Sequence, residues 1–137
     1  MRAILGKEIC VEIVNSVGVL AEIAVFLSSH GINLLGVAGY ARKLGEPAEL
    51  IFMTDDNRAA IDTLRKAGYD NVRENEIIAV ELEDRPGSLS RITGILSQNK
   101  INIIYIYGTG CMGGCPAKIV ISTSDNAKAM SLLNRQG

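Results

Sequence analysis

The residues Asp84-Arg85-Pro86-Gly87-Ser88-Leu89 put an acid, a turn and a helix start side by side. Pro at a helix start has its φ preset and lacks an amide that the helix would leave unpaired, while Gly lets the backbone approach another molecule closely. The amides of Gly87, Ser88 and Leu89 would lie at the positive end of a helix dipole, where they could hold a carboxylate. The Asp84 carboxylate could accept hydrogen bonds from an ammonium group. A free amino acid carries both partners. The alternative is that the turn is only a helix cap, with Asp84 satisfying nearby amides.

The turn occurs twice. Sliding the chain by 69 positions lays Gly18 on Gly87, Asn33 on Asn102 and Asp56 on Asp125 without a gap. Asn15, Gly18, Val19 and Leu20 then match Asp84, Gly87, Ser88 and Leu89. Asn15 can donate to a carboxylate and accept from an amine. The first copy departs from the second at Ser16, in place of Arg85, and at Val17, in place of Pro86. A period this long, present only twice, indicates duplication of a small domain rather than a solenoid.

A second chemistry lies in the segment Gly108-Thr109-Gly110-Cys111-Met112-Gly113-Gly114-Cys115-Pro116. Its opening matches G-x-G-x-x-G, yet a strand rather than a helix follows, so no helix N-terminus is available for a pyrophosphate. The repeat makes it a hairpin loop whose glycines serve turn positions. Cys111 and Cys115 have no counterpart in the first copy, where Arg42 and Glu46 stand. They are candidates for ordinary free thiols, a soft-metal or redox site, or a reversible loop disulfide. No third ligand accompanies them, because His30, the only histidine, falls at the end of the other copy's first helix. We therefore expect no metal or other cofactor. Cys10, in a strand, reads as a small buried residue. Tyr105 and Tyr107 share one face of a strand and read as sheet-surface packing residues.

The elements that must position these groups follow from periodicity. Ile9–Val14 is rich in β-branched residues and ends at Asn15-Ser16, a strand and a turn. Leu20, Ile23, Ala24 and Leu27 mark a helix that stops near Gly31. Segments 33–41 and 48–53 flank Leu44-Gly45-Glu46-Pro47 as a hairpin. Asp56 caps a second helix running to Ala67, Gly68 ends it, and a short strand near Val72 completes the unit. The second copy supplies segments 77–83, 88–98, 102–107, 117–122 and 125–134.

The expected fold is therefore α+β: two ferredoxin-like βαββαβ units in tandem, with antiparallel sheets covered by helices on one face. The domains are residues 1–75, including an N-terminal strand, and 76–137. Gly137 aligns with Gly68, so the second copy has no fourth strand of its own. Residues 2–5 align with the region of the first copy's fourth strand and are expected to fill the gap, against residues 77–83.

Hydrophobic residues are 47% and charged ones 21% of the 137, with a net charge of −1. That balance suits a compact protein and gives no electrostatic footprint for nucleic acid or anionic membrane. The N-terminus is too short in apolar residues for a signal peptide, and three cysteines fit a reducing compartment, so we expect a cytoplasmic location. A nucleophile, base and orienter set is absent from the sequence, which argues against an enzyme.

With Asp84 through Leu89, the helix through Ile92 and Leu96, Ile101-Asn102-Ile103, and their counterparts at Gly18, Leu20, Ile23, Leu27 and Ile32-Asn33-Leu34, the chain resembles the ACT domain family. More narrowly it looks like stand-alone tandem ACT proteins without a catalytic domain. The resemblance implies a homodimer and a regulatory or sensor role, in which a small amino acid binds at interfaces between ACT units and the signal passes to a separate enzyme or regulator. It places ligand contacts at Asn15, Gly18, Val19 and Leu20 in one copy and at Asp84, Arg85, Pro86, Gly87, Ser88 and Leu89 in the other. The competing reading is a metal-binding or thiol-redox protein acting through Cys111 and Cys115.

Overall fold

The computed structural model describes residues 1–135; Gly137, the expected counterpart of Gly68, lies outside them. The described residues form β1 (Arg2–Val14), α1 (Val19–Ser29), β2 (Leu34–Tyr40), β3 (Pro47–Thr54), α2 (Asn57–Lys66), β4 (Val72–Leu82), α3 (Ser88–Gln98), β5 (Ile103–Thr109), β6 (Ala117–Thr123) and α4 (Asn126–Arg135). They fall into two compact units. One is Lys7–Asn75; the other joins Met1–Gly6 to the chain from Glu76 onward. Both are α+β; Lys7–Asn75 has the ferredoxin-like order βαββαβ, and the other has βαββα with its remaining strand supplied by Met1–Gly6. No helix among the described residues is long and apolar enough to cross a membrane.

In the unit Lys7–Asn75 the strand order is β2-β3-β1-β4. β3 pairs antiparallel with both neighbours, setting Phe52 opposite Ile9 on one side and Val37 on the other. Alternation along β1 sends Ile9, Val11 and Ile13 to one face, where they meet Ile23 and Leu27 of α1 and Ala60 and Leu64 of α2. The spacing of those helical residues, four apart in each pair, is the stripe that turns both helices onto the same side. Asp56 caps α2 by accepting from the Ala59 amide at 3.1 Å.

The other unit repeats the plan with the order β1-β4-β6-β5. Ile78, Val80 and Leu82 of β4 pack with Ile92 and Leu96 of α3 and Ala129 and Leu133 of α4. Its outer strand comes from the beginning of the chain. Ala3, buried, belongs to the same core, and Asn134 holds it from both sides: Ala3 N–H donates to Asn134 Oδ1 and Asn134 Nδ2 donates to Ala3 O, each at 2.9 Å. These positions repeat the other unit. There Arg65, 69 residues before Asn134, donates to Val72 O at 3.1 Å, and Val72 is 69 residues after Ala3.

The structure differs from the sequence expectation in continuity. Segments 2–5 and 9–14 are one strand, β1, and the strand near Val72 runs into segment 77–83 as β4. A paired asparagine marks each handover: Asn57 Nδ2 donates to Lys7 O and Asn126 Nδ2 to Glu76 O, both at 3.1 Å.

Gly39 and Gly108 are also repeat equivalents, and Gly108 is the stricter. A Cβ there would lie 2.5 Å from both Lys118 O and Ile119 Cδ1, whereas one on Gly94, inside α3, would meet nothing within 4 Å. Gly108→Ala should therefore cost about 2 kcal/mol by overpacking. Gly94→Ala should gain roughly 0.5–1 kcal/mol from the helix backbone. Denaturant titration of the two variants checks the opposite signs, and equal shifts would contradict the packing at Gly108.

Candidate functional site

Both turns are built around a left-handed glycine. Gly18 (φ 87°) and Gly87 (φ 91°) are the N-caps of α1 and α3, and no side chain caps either helix. The helix-cap reading of Asp84 is thus corrected, and Asn15 is no cap either: each reaches instead toward the hairpin loop of its own unit. Glycine is required because an L side chain at these φ values is strained.

In the first turn, the Asn15 amide donates to Glu46 O and Gly45 N–H donates to Asn15 O, both at 2.8 Å. Asn15 Nδ2 adds a bond to Lys43 O at 3.0 Å. These contacts fix the turn against the β2–β3 loop. Beside it opens a depression of about 490 Å³. Asn15, Ser16 and the start of α1 at Gly18, Val19 and Leu20 form its polar edge, and Ile13, Val37, Ala48 and Leu50 form an apolar wall. The exposed ring of Tyr40 stands at the rim.

A second depression of about 490 Å³ lies on the other side of the same turn, lined by Glu12, Ser16, Glu22, Tyr69 and Asn71. Tyr69 OH donates to Glu22 Oε1 at 2.7 Å. Burial, then the hydrogen bond and negative charge of Glu22, push the Tyr69 hydroxyl up to about 12. The fold holds this proton more tightly than the unfolded chain does. Its contribution to stability is complete below pH 10 and is lost as pH climbs from 10 towards 12. In a spectrophotometric titration Tyr69 should ionise late, and Glu22→Gln should bring it part of the way back, burial holding the remainder. A titration unchanged by that substitution would remove Glu22 as a cause.

The second turn is arranged differently. Asp84 Oδ2 accepts the Cys111 amide at 2.8 Å, and Gly110 packs so closely that a Cβ there would meet the same oxygen at 2.8 Å. Arg85 is held by Glu83, Nε to Oε2 at 2.7 Å. One bond is common to both turns: Ser88 N–H donates to Arg85 O, as Val19 N–H does to Ser16 O, each at 3.3 Å. Pro86 and Gly87 are exposed, with Ser88 half-buried and Leu89 exposed. The structure therefore brings Asn15, Gly18, Val19 and Leu20 together on one cavity wall, and sets Asp84 against its own hairpin loop. Sequence reasoning missed that link, because nothing in either segment marks residues 27 positions apart as partners.

Cys111 and Cys115 are joined as a disulfide, with Cα atoms 5.3 Å apart. Among the described residues, no group of three or more His, Cys, Asp or Glu is placed to hold a metal ion. The G-x-G-x-x-G segment begins at the end of β5 and lies in the hairpin loop, which leads on to β6, as the repeat predicts. His30 is the C-cap of α1, its Nδ1 2.9 Å from Phe26 O. Cys10 is buried, and burial, reinforced by Glu49, pushes its thiol up to about 11.

Residues 77–110 match the ACT domain family model. That stretch contains the whole second turn and α3. No curated protein matches the chain. Among solved structures, one similar fold is a protein of Bacteroides thetaiotaomicron, 22% identical, with a TM-score of 0.87 over 98% of this chain and 90% of that one. The ligand-free regulatory subunit of aspartate kinase from Thermus thermophilus is 11% identical, with a TM-score of 0.71 over 98% and 96%. The corresponding subunit from Thermus flavus is 14% identical, with a TM-score of 0.67 over the same shares. At these identities the likeness is one of fold.

Proposed function

We propose, from the match of residues 77–110 to the ACT domain family model, a non-catalytic regulatory protein that binds a small free amino acid. The observation that carries this reading is the cavity beside the first turn. Asn15 and the start of α1 line it together with the apolar residues Val37, Ala48 and Leu50. A helix N-terminus favours a carboxylate, Asn15 offers both a donor and an acceptor, and Val37, Ala48 and Leu50 suit an aliphatic side chain. The fold likeness to two aspartate kinase regulatory subunits supports a role in passing the binding state to a separate enzyme or regulator. In the second unit the ligand contacts are Asp84 to Leu89, where Asp84 must divide itself between ligand and loop. A homodimer and a cytoplasmic location complete the proposal.

The second reading rests on Cys111 and Cys115. Their pairing favours its thiol arm over its metal arm.

The test is a thermal-shift screen of the reduced, metal-free protein against the twenty amino acids. Ligand at about 100 times its dissociation constant adds about 2.7 kcal/mol, a rise of roughly 10 °C for a chain of this size. Gly18→Val should abolish the response if the first turn binds, and Gly87→Val if the second does. Silence with all twenty would end the amino-acid reading.

A further inference from the structure

The two hairpin loops are fastened to their turns by different chemistry. The β2–β3 loop is held through the main chain and side-chain amide of Asn15, at Lys43, Gly45 and Glu46. The β5–β6 loop is held by one carboxylate, Asp84, on the amide of Cys111. That loop is rich in glycine, with Gly114 at φ 80°. A cross-link closes it: Cys111 and Cys115 are four residues apart in sequence, and the Cys115 amide points at Cys111 Sγ, 3.2 Å away. Cys115 is exposed and Cys111 half-buried, so a reagent in solution has a path to the pair. Cys10, in β1, is sealed.

We propose that Cys111 and Cys115 are a thiol–disulfide modification site, whose oxidised form fixes the loop that Asp84 clasps and so sets the rigidity of the Asp84–Leu89 turn. The oxidant is an external disulfide of the glutathione class. One cysteine thiolate attacks it, forming a mixed disulfide and releasing one thiol. The second thiolate attacks the protein sulfur of that mixed disulfide, forming the Cys111–Cys115 bond and releasing the second thiol. Two electrons leave the cysteine pair, and its two protons end on the released thiols. The oxidised loop presents the Cys111 amide to Asp84 in one arrangement; the reduced loop, with its glycines free, presents it in many. This coupling holds whether or not the turn binds an amino acid.

The test uses the full chain, equilibrated in mixtures of reduced and oxidised glutathione, quenched by alkylation, and read by intact mass and peptide mapping. The expected product is a monomer lighter by two hydrogens, with Cys111 and Cys115 in one linked peptide and Cys10 alkylated only after unfolding. Hydrogen exchange should show the amides of Cys111, Arg85 and residues 87–89 slower in the oxidised form, on the order of tenfold for a small closed loop. Asp84→Ala should still form the disulfide, while exchange at 85–89 no longer responds to it. Stable glutathione adducts or interchain disulfides in place of the internal bond would overturn the proposal. So would an internal bond that leaves exchange at residues 85–89 unchanged.

Discussion

A chain lacking residues 1–6 should lose the fold of the unit that begins at Glu76, while Lys7–Asn75 keeps its own. The removed segment takes away Ala3, a member of that unit's core, and both hydrogen bonds to Asn134. It also strips β4 of its neighbour, exposing an unpaired edge beside Ile78 and Val80. At about 1 kcal/mol for each net hydrogen bond, the two Asn134 bonds and the strand ladder come to at least ~3 kcal/mol, before any lost burial. For a half-chain near the lower size limit of independent folding, that is a large share of its stability. Hydrogen exchange of the shortened chain would locate the loss. Protection retained at Ile92 and Leu96 would show that the borrowed strand is dispensable.

Phe52→Ala should cost about 3–5 kcal/mol, the range for an aromatic side chain removed from a packed core. Phe52 is fully buried at the middle of β3, between Ile9 and Val37 across the ladder. It packs in one cluster with Ile23, Leu27 and Leu64. The relaxation that would fill such a cavity is restricted, because its walls come from two strands and two helices that are themselves paired. Phe52→Leu should recover most of the loss, since it keeps much of the volume. Chemical denaturation gives the size of the effect and hydrogen exchange its place. Loss of protection spread equally over residues 76–135 would argue that the core of Lys7–Asn75 is not separate.

These two cores were readable from residue types alone. Ile23 and Leu27 could only belong to a helical stripe, and Ile9, Val11 and Ile13 alternate as a strand does, whereas Leu20, read on the same stripe, is exposed. The repeat marked glycine as needed at Gly18 and Gly87, keeping it where Val17 and Pro86 differ, but their left-handed φ and their place as N-caps came only with the structure. What could not be read was the joining of segments across Gly6-Lys7 and across Glu74-Asn75-Glu76. Polar residues and glycine there look like breaks, since local propensity cannot register the strands that pair alongside. The side chain of Asp84 was misplaced for a related reason. Its identity suits an ammonium group, a helix cap or a backbone amide equally, and only the path of the β5–β6 loop decides that it meets Cys111. The cavity depends likewise on Val37, Ala48 and Leu50 arriving from strands distant in sequence from Asn15.

The bond between Ala3 and Asn134 also sets an order of events during synthesis. Residues 7–75 are contiguous, so that unit can close as soon as its last strand has emerged. The other cannot. Its first-made strand must wait, with its amides and carbonyls open to other partners, until a helix 131 residues later is available. Closing so long a loop costs only logarithmically in entropy, but contacts of such separation form slowly. The interval between the two closures is when the exposed edge of β4 is most open to pairing with a neighbouring chain.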